Sequence, residues 1–129
     1  MQVDNSGGGQ VWVDNDQWGP FNGEMLHLSY GRSTVYKVMR QEVNGVMQGG
    51  VVALPIKLAS SAMRGRFNPV DKQLYVAGFR GWQTNAAKES GLQRIRYTGK
   101  KVSLPTEMKA TKKGLYLSLI HISEPTRPY

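Results

Sequence analysis

The chain has 129 residues, the length of one ordinary domain, and its 40% hydrophobic and 20% charged residues give a globular balance. No window approaches the roughly 18 consecutive apolar residues of a membrane helix, and the absence of cysteine excludes disulfides, thiolate metal sites and covalent haem attachment within the chain. The net charge of +8 is uneven: residues 1–99 supply +4, and Lys100, Lys101, Lys109, Lys112 and Lys113 against Glu107 supply the other +4. Those lysines alternate with strand-forming residues and lack interleaved aromatics, so they describe a solvated strand face and no nucleic-acid partner.

The segment from Met1 to Gly9 reads as the inside of a loop, so the chain is expected to be part of a longer protein. Gln10 to Val13 is a short β-prone run between Asn5-Ser6-Gly7-Gly8-Gly9 and Asp14-Asn15-Asp16, both rich in turn chemistry. Met25 to Tyr30 is the next strand, and Gly31-Arg32-Ser33 turns it into Thr34 to Glu42. Asn44-Gly45 is a two-residue hairpin signal; Met47 to Leu54 returns, with Gly49-Gly50 read as a bulge. Ala62 to Asn68, a turn at Pro69-Val70-Asp71-Lys72, and a strand from Gln73 to Phe79 follow. Gly81 to Ser90 is a polar loop around Trp82, and Gly91 to Tyr97 is another strand. Met108 to Leu117 gives one more strand or a hairpin about Lys113-Gly114. Short strands at regular spacing with almost no helical periodicity predict an all-β fold. A propeller blade takes about 40 to 50 residues in four strands, so residues 20–99 have the length of two.

Leu117 to Arg127, LSLIHISEPTR, resembles one translated reading frame of a transposase-type sequencing-library adapter. On that resemblance residues 117–129 are an artefact, and His121, Glu124 and Arg127 carry no functional argument.

The run from Phe21 through Met25-Leu26-His27-Leu28-Ser29-Tyr30-Gly31-Arg32-Ser33 to Val38 resembles a late blade of soluble quinoprotein sugar dehydrogenases. The run Met63-Arg64-Gly65-Arg66-Phe67-Asn68-Pro69-Val70-Asp71-Lys72-Gln73-Leu74-Tyr75-Val76 resembles that family's next blade, where an Arg-x-Arg pair precedes a turn and strand. Residues 5–116 as a whole, most distinctively Asp4 to Val13 and Arg80-Gly81-Trp82-Gln83-Thr84, resemble glucose/sorbosone-dehydrogenase-like propellers of planctomycete and verrucomicrobial proteins, often joined to a c-type cytochrome. The resemblance implies about two blades of a β-propeller over 1–99, and over 100–116 a linker or the start of a following β-domain. It implies an exported or periplasmic protein, a sugar or alcohol substrate, and as partners the remainder of the propeller and a cytochrome domain that would carry the haem c.

By the same resemblance Arg64 and Arg66 hold pyrroloquinoline quinone. The chemistry suits them: the quinone carries carboxylates, and a guanidinium is a planar, permanently charged fork. Two residues apart on a strand, both side chains leave one face. Gly31 stands where the family has a quinone-holding lysine, with Arg32 beside it as the substitute. Trp82, with Arg80 and Gln83, is the candidate for stacking on a sugar ring; its other reading is packing over a neighbouring blade. No catalytic residue is assigned: the family's base histidine belongs to an earlier blade, and His27 is read as a hydrogen-bonded structural histidine. No metal site is assigned either, because Asp14-x-Asp16-x-Trp18-Gly19 has tryptophan where a calcium loop needs a ligand.

Two functions of different class stand on these residues. One is part of a quinone-dependent sugar or alcohol dehydrogenase, inactive without the rest of the ring. The other is a non-catalytic propeller that binds carbohydrate or protein.

Overall fold

The structure is a computed structural model that describes residues 3–101 and 103–121. It is all-β. Strands β1 (Gly7–Trp12), β2 (Met25–Ser29), β3 (Thr34–Val43) and β4 (Val46–Ala53) form an antiparallel meander in chain order. Strands β5 (Arg64–Phe67), β6 (Leu74–Phe79) and β7 (Ser90–Ile95) form a second, three-stranded one. A separate hairpin joins β8 (Ser103–Thr111) to β9 (Gly114–His121).

Two expectations about local structure change. Gly49-Gly50 is not a bulge: the β3–β4 register runs unbroken from Tyr36↔Ala53 to Val43↔Val46. A Cβ on Gly49 would lie 2.1 Å from the Met39 carbonyl oxygen, so the glycine admits a close backbone approach. The register shifts fall instead between Gly7 and Gly9 and between Pro105 and Glu107. The strand expected from Gln10 begins at Gly7, inside the glycine run, because Gly8 passes so near the backbone of Ala62 and Met63 that a side chain would collide. Asn44-Gly45 does form the tight hairpin, with φ of 50° and 77°, the paired positive angles of a type I′ turn.

Alternation assigns the faces. Leu26, Leu28 and Val35, each at most 1% exposed, leave the first sheet on the side that meets Leu74 and Val76 of β6, both 0% exposed. Gly65 is buried at the contact; a Cβ there would lie 2.9 Å from Leu28 Cδ1. The first strands, β1 and β5, are neighbours across the seam. The connection from Leu54 to Met63 threads between the sheets with Ser60, Ser61 and Ala62 fully buried. Ser61 Oγ donates to Phe79 O (2.7 Å) and accepts from Phe79 N (3.0 Å), so its hydroxyl is satisfied without water. A 3-10 segment, Asp16–Phe21, closes one end. Its Trp18 is 2% exposed and stands edge-on to Phe67, with ring centroids 5.0 Å apart, and packs on Tyr97.

Lys37 breaks the pattern. It shares the core face with Val35 and Met39 yet is 2% exposed, and its Nζ lies 3.3 Å from Glu24 Oε2 and donates to Thr106 O at 3.1 Å. The second bond ties β8 to β3. The last strand includes residues 117–121, and Leu117 and Leu119 on it are exposed; the adapter-like residues 122–127 lie outside the described residues. Among the described residues no helix is long and apolar enough to cross a membrane.

Candidate functional site

Arg64 and Arg66 leave β5 on one face, the one turned away from the first sheet. Arg64 Nη1 donates to the carbonyls of Gly8 and Met63, and so fastens the β1–β5 seam. Arg66 Nη1 donates to Gly65 O at 2.8 Å. Arg66 pairs across the sheet with Tyr75, and Tyr75 with Arg94. Tyr75 Oη donates to Asp71 Oδ2 at 2.6 Å, and Arg94 Nη1 lies 3.6 Å from the same oxygen. The bond from Tyr75, then that from Gln73 N, holds the Asp71 carboxyl below its ordinary value against a small opposing effect of desolvation.

Arg32 lies elsewhere. It lines an open cleft of about 570 Å³ with Asn5, Gly31, Gln83, Thr84 and Asn85, to which Arg64 and Arg66 do not contribute. The polar loop after β6 is pinned onto the β2–β3 turn: Thr84 Oγ1 donates to Tyr30 O (2.8 Å), Asn85 N to Gly31 O (3.0 Å), and Asn5 Nδ2 to Gln83 O (2.8 Å). A Cβ on Gly31 would lie 2.1 Å from Asn5 Oδ1, so any side chain there would displace Asn5. That gives a physical reason for glycine where the resembled family has lysine. Trp82, next in the chain to Gln83, is 83% exposed.

A third cluster escaped the sequence. Asp4 accepts from His27 Nε2 (2.7 Å), Ser29 Oγ (2.7 Å) and Ser6 N (3.1 Å), and Gln10 Nε2 donates to His27 Nδ1 at 3.2 Å. This assigns the imidazole proton to Nε2 from the bonding pattern. Burial alone would raise the Asp4 carboxyl; the bonds from His27, Ser29 and Ser6 outweigh it and hold the group below its ordinary 3.8. The arrangement is not a nucleophile–base–acid relay, because the Ser29 hydroxyl donates to the carboxylate and not to the imidazole. The alternation of His27 and Ser29 was visible in the sequence; Asp4, 23 residues before His27, carried no spacing signal. The cluster borders a hollow of about 510 Å³ that also includes Val3, Met25, Tyr36, Val38 and Val51.

The three arginines do not converge on one cavity, so the described residues do not by themselves fit a tricarboxylate quinone. Arg64 and Arg66 could grip an anion only on the open face of the second sheet, and Arg32 only in the cleft. Comparison with protein-family models, with curated proteins and with solved structures gave no match.

Proposed function

We propose that the chain forms two neighbouring blades of a β-propeller of the quinoprotein sugar or alcohol dehydrogenase-like kind, and that its own contribution there is to bind a hydroxyl-rich ligand. The propeller reading is supported by two consecutive antiparallel meanders stacked face to face, with their first strands adjacent as the inner strands of successive blades are. The observation that carries the binding reading is the Arg32 cleft. Its Gln83 and Asn85 side-chain amides offer donors and acceptors to sugar hydroxyls in a cleft bordered by Arg32; Asn5 and Thr84 hold the loop that carries them, and the exposed Trp82 ring is adjacent in the chain for stacking.

The test is a titration with a panel of mono- and disaccharides followed by Trp fluorescence. Saturable quenching that Trp82→Ala and Asn85→Ala both reduce is the expected result; no saturation with any sugar sinks the reading.

The second reading, quinone-dependent oxidation with electrons leaving to a cytochrome domain, is favoured by one fact. Arg64 and Arg66 share a face, and among the described residues neither is paired with a carboxylate. Pyrroloquinoline quinone would supply the two-electron acceptor; no step through it follows from these residues. It is tested by quinone titration of a protein holding this chain in a complete ring. Arg64→Ala and Arg66→Ala should each weaken binding by about 1.5 to 3 kcal/mol, the worth of a charged hydrogen bond. Lys at either place should recover part of it.

A further inference from the structure

The two outward faces of the sheet pair differ in chemistry. The first sheet's outer face is apolar around Met25, Tyr36, Val38 and Val51. The second sheet's outer face is cationic: Arg66–Tyr75–Arg94 form one rung across β5, β6 and β7, and Arg64–Ala77–Leu92 form the next. Leu92, 71% exposed, lies on the Arg64 rung next to that of Arg66 and Arg94, and Phe79, 46% exposed, lies one rung further along the same face. The carboxylate that pairs with this face among the described residues is Asp71, whose Oδ2 meets Tyr75 and Arg94 while Oδ1 accepts from Gln73 N, and it reaches neither Arg64 nor Arg66.

We infer that the outer face of the β5–β6–β7 sheet docks an adjoining β-sheet whose facing side chains are carboxylates set among apolar groups. The inference rests on the propeller reading for where that sheet comes from, since the stacking of the first sheet on the second would repeat on the far side. The chemistry rests on the face itself. Arg66 and Arg94 stand on one rung either side of Tyr75, about 9.4 to 9.8 Å apart, the spacing at which next-but-one strands of a facing sheet recur; Arg64 is held by the Gly8 and Met63 carbonyls. Guanidinium forks match carboxylates bidentately, and Asp71 already shows a carboxylate held by the Tyr75–Arg94 pair. Leu92 and Phe79 add apolar contact that a polypeptide can return and a phosphodiester backbone cannot. The rings are also poorly placed for stacking bases: the Tyr75 hydroxyl is committed to Asp71, and Phe79 stands edge-on to Tyr30, with centroids 5.8 Å apart.

The full chain is titrated with a random copolymer of glutamate and phenylalanine, and separately with oligothymidylate. The Arg66→Gln/Arg94→Gln variant should bind the copolymer about tenfold or more weakly, a modest loss for two charged contacts. A control with Lys100, Lys101, Lys109 and Lys112 changed to Gln, which removes more charge from the hairpin side, should retain binding. Leu92→Ser should weaken the copolymer while leaving oligothymidylate unchanged. Equal loss in the lysine control, an unaffected arginine variant, or tighter binding of oligothymidylate through the same arginines would each overturn the inference. The propeller reading fails on a different readout: a monomer whose outer faces bind no hydrophobic dye would sink it, whatever the copolymer does.

Discussion

Lys37 and Glu24 form an ion pair in which the lysine is 2% exposed and the carboxylate 34% exposed, so the cation is the buried partner. Its other bond, to Thr106 O, makes it a polar link between the first sheet and the β8–β9 hairpin, beside the bond that Ala110 N donates to Gln41 Oε1 at 3.0 Å.

Glu24→Gln removes the carboxylate and leaves the lysine buried. It should lower unfolding free energy by about 1.5 to 3 kcal/mol, toward the lower end because the glutamate is one-third exposed. Glu24→Gln combined with Lys37→Met keeps the volume and abolishes both charges, and should cost less than Glu24→Gln alone, as replacement of a whole buried ion pair often does. Denaturant midpoints of both variants check the pair; a loss in the double variant as large as that of Glu24→Gln would refute it.

Asp4 makes stability depend on acid. Its folded carboxyl titrates below its ordinary 3.8, so the stabilisation is fully present above that value and is lost as pH falls through the lower folded one. The difference in melting temperature between the wild type and Asp4→Asn should be constant from pH 7 to about 5 and shrink toward zero below the ordinary carboxylate range. A difference that persists unchanged at pH 2 would show that the carboxylate charge plays no part.

Two glycines should respond differently. A Cβ on Gly78 would lie 1.8 Å from the Ser61 carbonyl oxygen, and on Gly65 2.9 Å from the end of the Leu28 side chain. Gly78→Ala must move backbone and should cost about 1 to 3 kcal/mol, the range for overpacking; Gly65→Ala need only turn a side chain and should cost less. Thermal melts that rank them the other way would contradict the sheet packing.

The apolar outer face of the first sheet should bind a hydrophobic dye such as anilinonaphthalene sulfonate, and the chain should associate at high concentration. Val38→Thr with Val51→Thr should reduce both. A sharp thermal transition from a dye-silent monomer would count against an uncovered face.

Much of the strand order was legible because turn chemistry is local. Asn44-Gly45, Pro69 to Lys72 and the alternation from Gln73 to Phe79 depend on residues close in sequence, and each formed where expected. What was not legible depends on distance. Gly49-Gly50 looks like a bulge until the Met39 carbonyl is known to lie opposite, and Gly7 to Gly9 looks like a loop until Ala62 and Met63 are beside it. The Asp4–His27 and Lys37–Thr106 bonds join residues 23 and 69 apart in sequence, where spacing carries no signal. Lys37 left one trace, a lysine in phase with Val35 and Met39. The Arg64/Arg66 pair was readable as sharing a face; that Arg32 opens into a different cleft was not.

The connection from Leu54 to Ala62, which buries Leu54, Leu58 and Ser60 to Ala62 and exposes Pro55 and Lys57, bears on how such a protein can be divided. A repeat boundary drawn in this connection would look natural, since it separates one meander from the next. Yet cutting it would strand the Ser61 hydroxyl pair with Phe79 and the bond from Ala59 N to Gln93, and would expose Leu54, Leu58 and Ala62. Neither meander is therefore a portable module. The smallest piece that could be exchanged between proteins by recombination, or released intact by a protease, is the pair with its joint.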